Sequence, residues 1–179
     1  MLFLAKISFA LIIVFLYPMK DLKCLFAAFI ILCLFAACAS DGMSGWKETD
    51  LMSHGLPVKI KAPEDITVEK SLFSGSEEYQ LSGTDGYGMN VLVADATSPN
   101  VSVIKTELKE LVENGKYFSD FIESPENGFI YKISIDSTHA VYGFRKIKIQ
   151  GEKQIVFQNQ YMSKLSEEKA RQLFNSIPD

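Results

Sequence analysis

Residues that bind metals or form disulfides are scarce in this sequence. The 179-residue chain holds three cysteines and two histidines. All three cysteines, Cys24, Cys33 and Cys38, lie within the first 38 residues, so the rest of the chain cannot form an internal disulfide. The histidines, His54 and His139, lie far apart and each is next to a predicted turn, where we expect solvent exposure. Without clustered ligands, the sequence predicts no metal site and no cofactor.

Catalytic motifs are also missing. Ser102-Val-Ile-Lys105 and Ser166-Glu-Glu-Lys169 have the Ser-x-x-Lys spacing in which a lysine can activate a serine. That chemistry also needs Ser-Asp-Asn and Lys-Thr-Gly motifs, and the sequence contains neither. Gly86-Tyr-Gly88 lacks the third glycine and the following helix of a dinucleotide-binding loop. We therefore expect a protein that has no catalytic residues and is not an enzyme.

Basic residues are in deficit. The chain carries 18 basic and 22 acidic residues, a formal net charge of −4. Its first 38 residues contain three lysines and one aspartate, so the chain beyond them has 15 basic and 21 acidic residues. The resulting net charge of −6 argues against nucleic acid as a partner and against general attraction to anionic lipid.

The stretch from Met19 to Cys38 has the three parts of a secretory signal peptide. Lys20 and Lys23 form a basic head, an apolar segment runs over 25–35, and small residues precede a cysteine. The whole stretch therefore predicts a removable leader rather than a structural element.

The end of this leader, Phe35-Ala36-Ala37-Cys38, resembles the lipobox of bacterial lipoproteins, with Phe35 in the position where leucine is usual. The resemblance implies cleavage by signal peptidase II between Ala37 and Cys38. It also implies acylation of Cys38, which would anchor the protein in a membrane. Ala39 follows the cysteine, and by the sorting rule of enterobacterial lipoproteins this residue implies the outer membrane.

A second apolar run precedes Met19, and it leaves three alternatives open. Translation can start at Met19, which we favour because Met-Lys and a charged head begin such leaders. The run can instead extend the leader, or 1–17 and 22–38 can form a hairpin of two membrane helices. Each run is shorter than the roughly 20 residues of a comfortable span. We expect a signal peptide over 1–37, the lipidated cysteine and a flexible tether over 38–46, and a single domain over 47–179.

Period-two patterns predict most strands of this domain. Residues 46–54 are assigned a short helix with Trp46, Leu51 and Met52 facing the core. Alternating apolar residues then predict strands. These strands are Val58–Ala62, Ile66–Lys70, Glu77–Ser82, Met89–Ala94, Phe129–Asp136, His139–Ile149 and Lys153–Met162. The turn at 83–86 predicts a hairpin, and the last three strands predict an antiparallel meander.

Two helices are predicted by capping and apolar spacing. Ser98 and Pro99 are assigned the N-cap and first position of one helix, which ends at Asn114-Gly115. Its predicted buried face is Val101, Ile104, Leu108, Leu111 and Val112. Ser166 is assigned the cap of the second. The stripe that should pack on the sheet is Ala170, Leu173, Phe174 and Ile177.

This order of elements predicts an α+β fold with an antiparallel sheet of about six to seven strands packed by two main helices. The strand before Pro63, the mid-chain helix, the meander and the helix after Ser166 resemble the PsbP-like and DcrB-like group of envelope and thylakoid-lumen proteins. The likeness covers roughly 56–178. It implies an α/β/α sandwich and a non-enzymatic accessory role.

Surface features suggest where binding could occur. An incompletely covered sheet would expose an amphipathic patch of Tyr79, Tyr131, Tyr142 and Tyr161. The basic run Arg145-Lys146-Ile-Lys148 is assigned a solvated strand face paired with glutamates. Asp136-Ser137-Thr138 at a predicted turn resembles the acceptor of an envelope O-glycosylation system, which would place a glycan on Ser137.

Together these features predict a lipid-anchored envelope lipoprotein that acts as a non-catalytic accessory or protein-interaction module. Its partners are then a membrane, through the lipid on Cys38, and another envelope protein. The alternative is a carrier for an apolar or amphipathic ligand held between sheet and helices.

Overall fold

The fold is taken from a computed structural model, which describes residues 43–73, 75–136 and 139–179. These residues form one compact unit. Its strands are β1 Lys47–Asp50, β2 Lys59–Ala62, β3 Thr67–Phe73, β4 Ser76–Ser82, β5 Gly88–Asp95, β6 Phe118–Glu123, β7 Gly128–Ser134, β8 Ala140–Gln150 and β9 Lys153–Asn159. The helices are α1 Val101–Glu113 and α2 Glu167–Asn175, with a 3-10 helix at Met52–His54.

Seven of these strands form one antiparallel sheet in the order β3-β4-β5-β9-β8-β7-β6. β1 and β2 form a separate two-stranded sheet. The predicted α+β class with an antiparallel sheet and two helices is confirmed, as are the hairpin β4–β5 and the meander β7–β8–β9. The central contact between β5 and β9 joins the early hairpins to the meander.

Both faces of the sheet carry packed elements. Phe144 and Phe157 lie on the face that packs against α2 and the β1–β2 pair, in one continuous hydrophobic cluster. Because successive side chains along a strand alternate between the two faces, Phe129 on β7 and Ile147 on β8 lie on the opposite face. There α1 contacts β8 and β6, and its Ile104 is buried. Two layers of apolar side chains therefore stabilise the sheet from either side.

The segment from Trp46 to His54 differs from its predicted short helix. Lys47–Asp50 is a strand paired with β2, and only the 3-10 turn at Met52–His54 is helical. Leu51 is fully buried as predicted, whereas the side chain of Met52 is 60% exposed. Backbone pairing with a strand from beyond the turn decides the structure of this segment, and local propensity could not reveal it.

Helix α1 starts two residues later than predicted. Its N-cap is Asn100, whose side chain accepts a hydrogen bond from the backbone N–H of Ser102 at 2.9 Å. Ile104 is the buried residue of this helix, and Leu111 is 67% exposed instead of packed. The predicted apolar face is therefore too wide, because α1 contacts the sheet mainly along β8 and the edge strand β6.

Helix α2 agrees with its prediction. The hydroxyl of Ser166 accepts a hydrogen bond from the backbone N–H of Lys169 at 3.1 Å, as an N-cap should. The four residues predicted to pack on the sheet are all buried: Ala170, Leu173, Phe174 and Ile177.

Antiparallel pairing gives the sheet two distinct ends. At the upper end β4 finishes at Ser82, β5 begins at Gly88 and β9 finishes at Asn159. At the lower end β5 finishes at Asp95 opposite Lys153, where β9 begins. Helix α2 starts at the upper end, since the backbone N–H of Tyr142 near the start of β8 bonds to Leu165, just before the helix.

Candidate functional site

Several predicted site residues lie outside the described residues. Ala37 and Cys38 belong to this group, so cleavage and acylation stay predictions. Ser137 and Thr138 also lie outside the described residues, although Asp136 and His139 on either side of them are described. The imidazole Nδ1 of His139 lies 2.9 Å from a carboxylate oxygen of Asp136, and both side chains are exposed. Glycosylation of Ser137 stays a prediction as well.

The four tyrosines do not form a common surface. Tyr79 is fully buried and Tyr131 is 6% exposed, whereas Tyr161 is 88% exposed and Tyr142 is half-buried. The predicted amphipathic patch is therefore wrong for Tyr79 and Tyr131. Elements pack on both faces of the sheet, so each of these rings is buried whichever face alternation gives it.

Tyr79 plays a structural part instead. Its hydroxyl lies 2.8 Å from Oε2 of Glu77 and 3.2 Å from the carbonyl oxygen of Gly55. Burial raises the pKa of Tyr79, and this effect is larger than the opposing influence of Lys70. The ring therefore connects β4 to the turn after the 3-10 helix.

The two Ser-x-x-Lys pairs serve other purposes. Lys105 donates from Nζ to the backbone carbonyls of Ser124 and Pro125, at 3.2 and 2.5 Å. Lys169 donates to the carbonyl of Asp85 at 2.9 Å, and the hydroxyl of Ser166 is engaged in capping α2. Burial lowers the pKa of both lysines. Each ammonium thus holds a loop against its helix.

The basic run on β8 is not the solvated face that its sequence predicts. Lys146 is 4% exposed and lies in register with Phe144 on the α2 side of the sheet. Its Nζ donates to the carbonyl of Ile177 at 2.5 Å and lies 3.0 Å from Oδ1 of Asp179. It also lies 4.8 Å from the ring centre of Phe174. Its partners are a carbonyl, an aspartate and a ring, not glutamates.

The neighbours of Lys146 are also partly withdrawn from water. Burial lowers the pKa of the Arg145 guanidinium, and its Nε has no hydrogen-bond partner among the described residues. Burial also lowers the pKa of Lys148, with a smaller contribution from the nearby charge of Lys146. The sequence did contain a signal for the burial of these lysines. Period-two spacing places Lys146 and Lys148 on the same strand face as Phe144, a core aromatic residue.

Two open depressions flank Pro178 and Asp179 at the lower end of the sheet. Their volumes are about 710 and 600 Å³, and both include Asn127 in their lining. The amide of Asn127 donates to Oδ1 of Asp179 at 2.9 Å. Hydrogen bonds from Lys146 and then Asn127 hold the pKa of Asp179 below its usual range. We call these depressions together the Asp179 groove.

The lining of the Asp179 groove is of mixed character. Glu123, Glu126 and the ring of Phe174 line the larger depression, whereas Lys59 and Lys148 line the smaller one. Charges of both signs therefore surround a central ion pair. Such a surface can recognise a polar segment of a partner, because charge complementarity fixes the orientation of the two molecules.

A second exposed feature lies at the upper end. Tyr161 and Met162 are 88% and 83% exposed, at the centre of a turn in which the N–H of Ser163 bonds to the carbonyl of Gln160 at 3.1 Å. The φ angle of Met162 is 61°, a left-handed conformation that side chains other than glycine rarely adopt. We call Gln160–Ser163 the Tyr161–Met162 turn.

Side-chain hydrogen bonds fix this turn to the sheet. The Gln160 amide donates to the carbonyl of Leu81 and to the hydroxyl of Ser82, at 3.1 and 2.9 Å. The Asn159 amide donates to the carbonyl of Gln160 and to the hydroxyl of Ser163, at 3.3 and 3.2 Å. The backbone of the turn is therefore fixed to the sheet, while the side chains of Tyr161 and Met162 extend into solvent.

The chain joins the folded unit at this same end. Trp46 packs edge-on against Tyr87, with ring centres 5.0 Å apart, and Nζ of Lys169 lies 5.0 Å from the Trp46 ring centre. The same Nζ bonds to Asp85 in the loop between β4 and β5. Trp46 therefore packs against the core, as predicted for its side chain, and the predicted tether over 38–46 includes one residue too many.

Comparison of the chain with protein-family models, with curated proteins and with solved structures finds no match. The resemblances to lipoproteins and to the PsbP-like group stay predictions. Within the described residues, the side chains of His, Cys, Asp and Glu form no group of three that could hold a metal ion. No helix in that same part of the chain is long and apolar enough to cross a membrane.

Proposed function

We propose that this protein is a lipid-anchored accessory module of the cell envelope that binds another envelope protein and catalyses no reaction. The anchor is the lipid on Cys38, and Ala39 favours the outer membrane of a Gram-negative-type bacterium. The Asp179 groove is the surface that contacts the partner. Its position at the lower end of the sheet, away from Trp46 where the tether joins, supports this assignment.

The observation that carries the proposal is the pair of Lys146 and Asp179. A lysine that is 4% exposed has lost most of its hydration, which is costly unless charged or polar groups replace the water. Here Asp179, whose side chain is 88% exposed, provides that charge from the solvent side. A partner that covers the groove would increase the attraction between these two charges, and its own polar groups would have to replace the water that Asp179 loses.

The carrier alternative receives less support. Large aromatic residues fill the space between sheet and helices, among them Phe129, Phe144 and Phe157, each fully buried. The two depressions open to solvent, and charged side chains line both of them. An apolar ligand is usually enclosed by apolar walls, with only a few polar groups to orient it.

The anchor is tested by mass spectrometry of the mature protein, with Cys38→Ala as the control. We expect the wild-type chain to begin at an acylated Cys38 and the variant to keep its leader. Persistence of an unmodified chain beginning at Met1 or Met19 in the wild type would contradict the anchor.

The partner surface is tested by photo-crosslinking in intact cells. A benzoylphenylalanine at position 59, which lines the Asp179 groove, should form a discrete adduct. Position 69 is the matched control, because Glu69 is also exposed and charged but lies on the edge strand β3. Equal adduct patterns at the two positions would argue against the groove as the contact surface.

A further inference from the structure

Four of the large apolar side chains that are exposed in the described part of the chain lie at the upper end of the sheet. Tyr161 and Met162 follow β9. Two strands further along the sheet Ile135 follows β7, and one strand beyond that Tyr117 precedes β6. Ile135 and Tyr117 are 49% and 47% exposed. Strands lie about 4.8 Å apart, so the four side chains extend over roughly 15 Å at the ends of β9, β8, β7 and β6.

Strand pairing keeps these residues together. The backbone N–H of Ser134 bonds to the carbonyl of Tyr117 at 2.9 Å, which ties the start of β6 to the end of β7. Tyr142 on β8 bonds in the same way to Leu165, which follows the Tyr161–Met162 turn. Large apolar groups that water surrounds are typical of surfaces that contact a partner or a membrane.

The tether reaches this same end. Trp46 packs beside Tyr87, and Lys169 connects Trp46 to the loop that contains Asp85. That loop follows Ser82, to which Gln160 of the turn is bonded. Eight peptide units separate Cys38 from Trp46, so even a fully extended chain spans at most about 28 Å. A lipid on Cys38 would therefore hold this end of the sheet within one domain's length of the bilayer.

We propose that the upper end of the sheet rests on the lipid bilayer and inserts Tyr161 and Met162 into its interfacial layer. This inference depends on the lipid at Cys38 that is part of the proposed function. Tyrosine is enriched at membrane interfaces because its ring is apolar and its hydroxyl is polar. Methionine is flexible and apolar, so it adapts to a disordered lipid environment.

The charges around the turn agree with a contact of this kind. The segment from Gln160 to Leu165 contains no acidic residue, and its exposed Lys164 can reach phosphate groups while its stem lies along the apolar surface. Asp85 and Glu168 are exposed at the same end. Together with the net charge of −6, they exclude a contact driven by general attraction to anionic lipid, so apolar insertion is the main contribution.

The test uses the mature full-length protein, reconstituted in two sets of phosphatidylethanolamine and phosphatidylglycerol vesicles, one with unmodified and one with brominated acyl chains. Met162→Cys introduces one thiol at the turn, and Leu72→Cys introduces one at the lower end, where Leu72 is 77% exposed. Both thiols are labelled with the environment-sensitive fluorophore nitrobenzoxadiazole. In a lipidated mature chain each is the single free thiol, because Cys24 and Cys33 are removed and Cys38 is acylated.

We expect the label at position 162 to emit several-fold more strongly than the label at position 72 and to be quenched by the brominated lipids. Adding Tyr161→Ser should lower that emission, whereas circular dichroism should be unchanged because the Tyr161 side chain is exposed. Equal emission and quenching at positions 162 and 72, in protein whose lipid is verified by mass spectrometry, would overturn the inference and leave the anchor intact.

Two other outcomes are also decisive. Strong emission at position 162 in native envelopes without quenching in vesicles would assign the turn to a protein contact and overturn the lipid contact. Labelling of two thiols in each chain would show that Cys38 is free. That result would overturn the proposed anchor first, and the membrane contact with it.

Discussion

A methyl group added at Gly143 should destabilise the protein by displacing Tyr131. Gly143 is buried on β8, directly opposite Tyr131 on β7. A Cβ atom built on Gly143 would overlap the Tyr131 ring, lie 2.5 Å from its hydroxyl oxygen and lie 2.8 Å from Oδ1 of Asn159. Separations below 3.0 Å are essentially never seen for real Cβ atoms, so the ring must shift.

The size of the effect follows from the packing around the ring. Tyr131 is 6% exposed and its ring centre lies 5.9 Å from that of Phe129, which is fully buried. Overpacking of a filled core typically costs about 1–3 kcal/mol. We expect Gly143→Ala to lower the free energy of unfolding by about 2 kcal/mol. In urea this corresponds to a midpoint lower by about 1 M, since such slopes are about 1–3 kcal/mol per M.

A double-mutant cycle identifies the cause. Tyr131→Leu removes the ring atoms that the new methyl group would meet, at its own cost in stability. Gly143→Ala should then cost less than about 1 kcal/mol in the Tyr131→Leu background, which gives a coupling energy within the roughly 0.5–3 kcal/mol range of contacting residues. Additive effects of the two substitutions would refute the reasoning, because they would place the Tyr131 ring away from Gly143.

Three further predictions concern the groove, the exposed turn and the first helix. Asp179 has a lowered pKa in the folded protein, so its contribution to stability is present above the ordinary carboxyl pKa of 3.8 and is lost as pH falls through the lower folded value. Asp179→Asn should therefore lower the thermal midpoint at neutral pH but not in strong acid, and an equal difference at both would contradict the ion pair with Lys146. Met162→Gly should leave stability unchanged or raise it by up to about 1 kcal/mol in urea unfolding, because glycine tolerates a positive φ; clear destabilisation would count against that backbone geometry. Asn100→Ala should cost about 1 kcal/mol in the same assay and Ser98→Ala clearly less, since Asn100 is the cap; the reverse order would restore the sequence-based assignment.

Local sequence patterns were sufficient for several elements of this fold. Ser166 and the apolar stripe after it define helix α2 because the cap and the buried face are both local features. The strands of the meander follow from alternation and from turn residues between them. Antiparallel pairing of consecutive strands needs no information from distant parts of the chain.

Contacts between distant segments account for the errors. Lys47–Asp50 became a strand because it pairs with β2 across an intervening turn. Alternation indicated which residues share a face of the sheet, but not that α1 would pack on β8 and β6 or that Tyr131 would be buried. In the same way, Lys146 was read as solvated because its charge suggested water, while its partners Ile177 and Asp179 come from beyond α2.

The joint between β5 and β9 has a consequence for the order of folding. Met89 pairs with Asn159 and Asp95 with Lys153, which are 70 and 58 positions apart. Pairing over such separations is slow, because a long loop must close before any contact forms. Synthesis proceeds from the N-terminus, so β3, β4 and β5 are made well before β9, which completes the sheet, and before α2, which packs on it. A chain whose sheet is complete only after its last strand and helix have been synthesised stays unfolded for longer. Such a delay is compatible with the export through a membrane that the proposed lipid anchor requires.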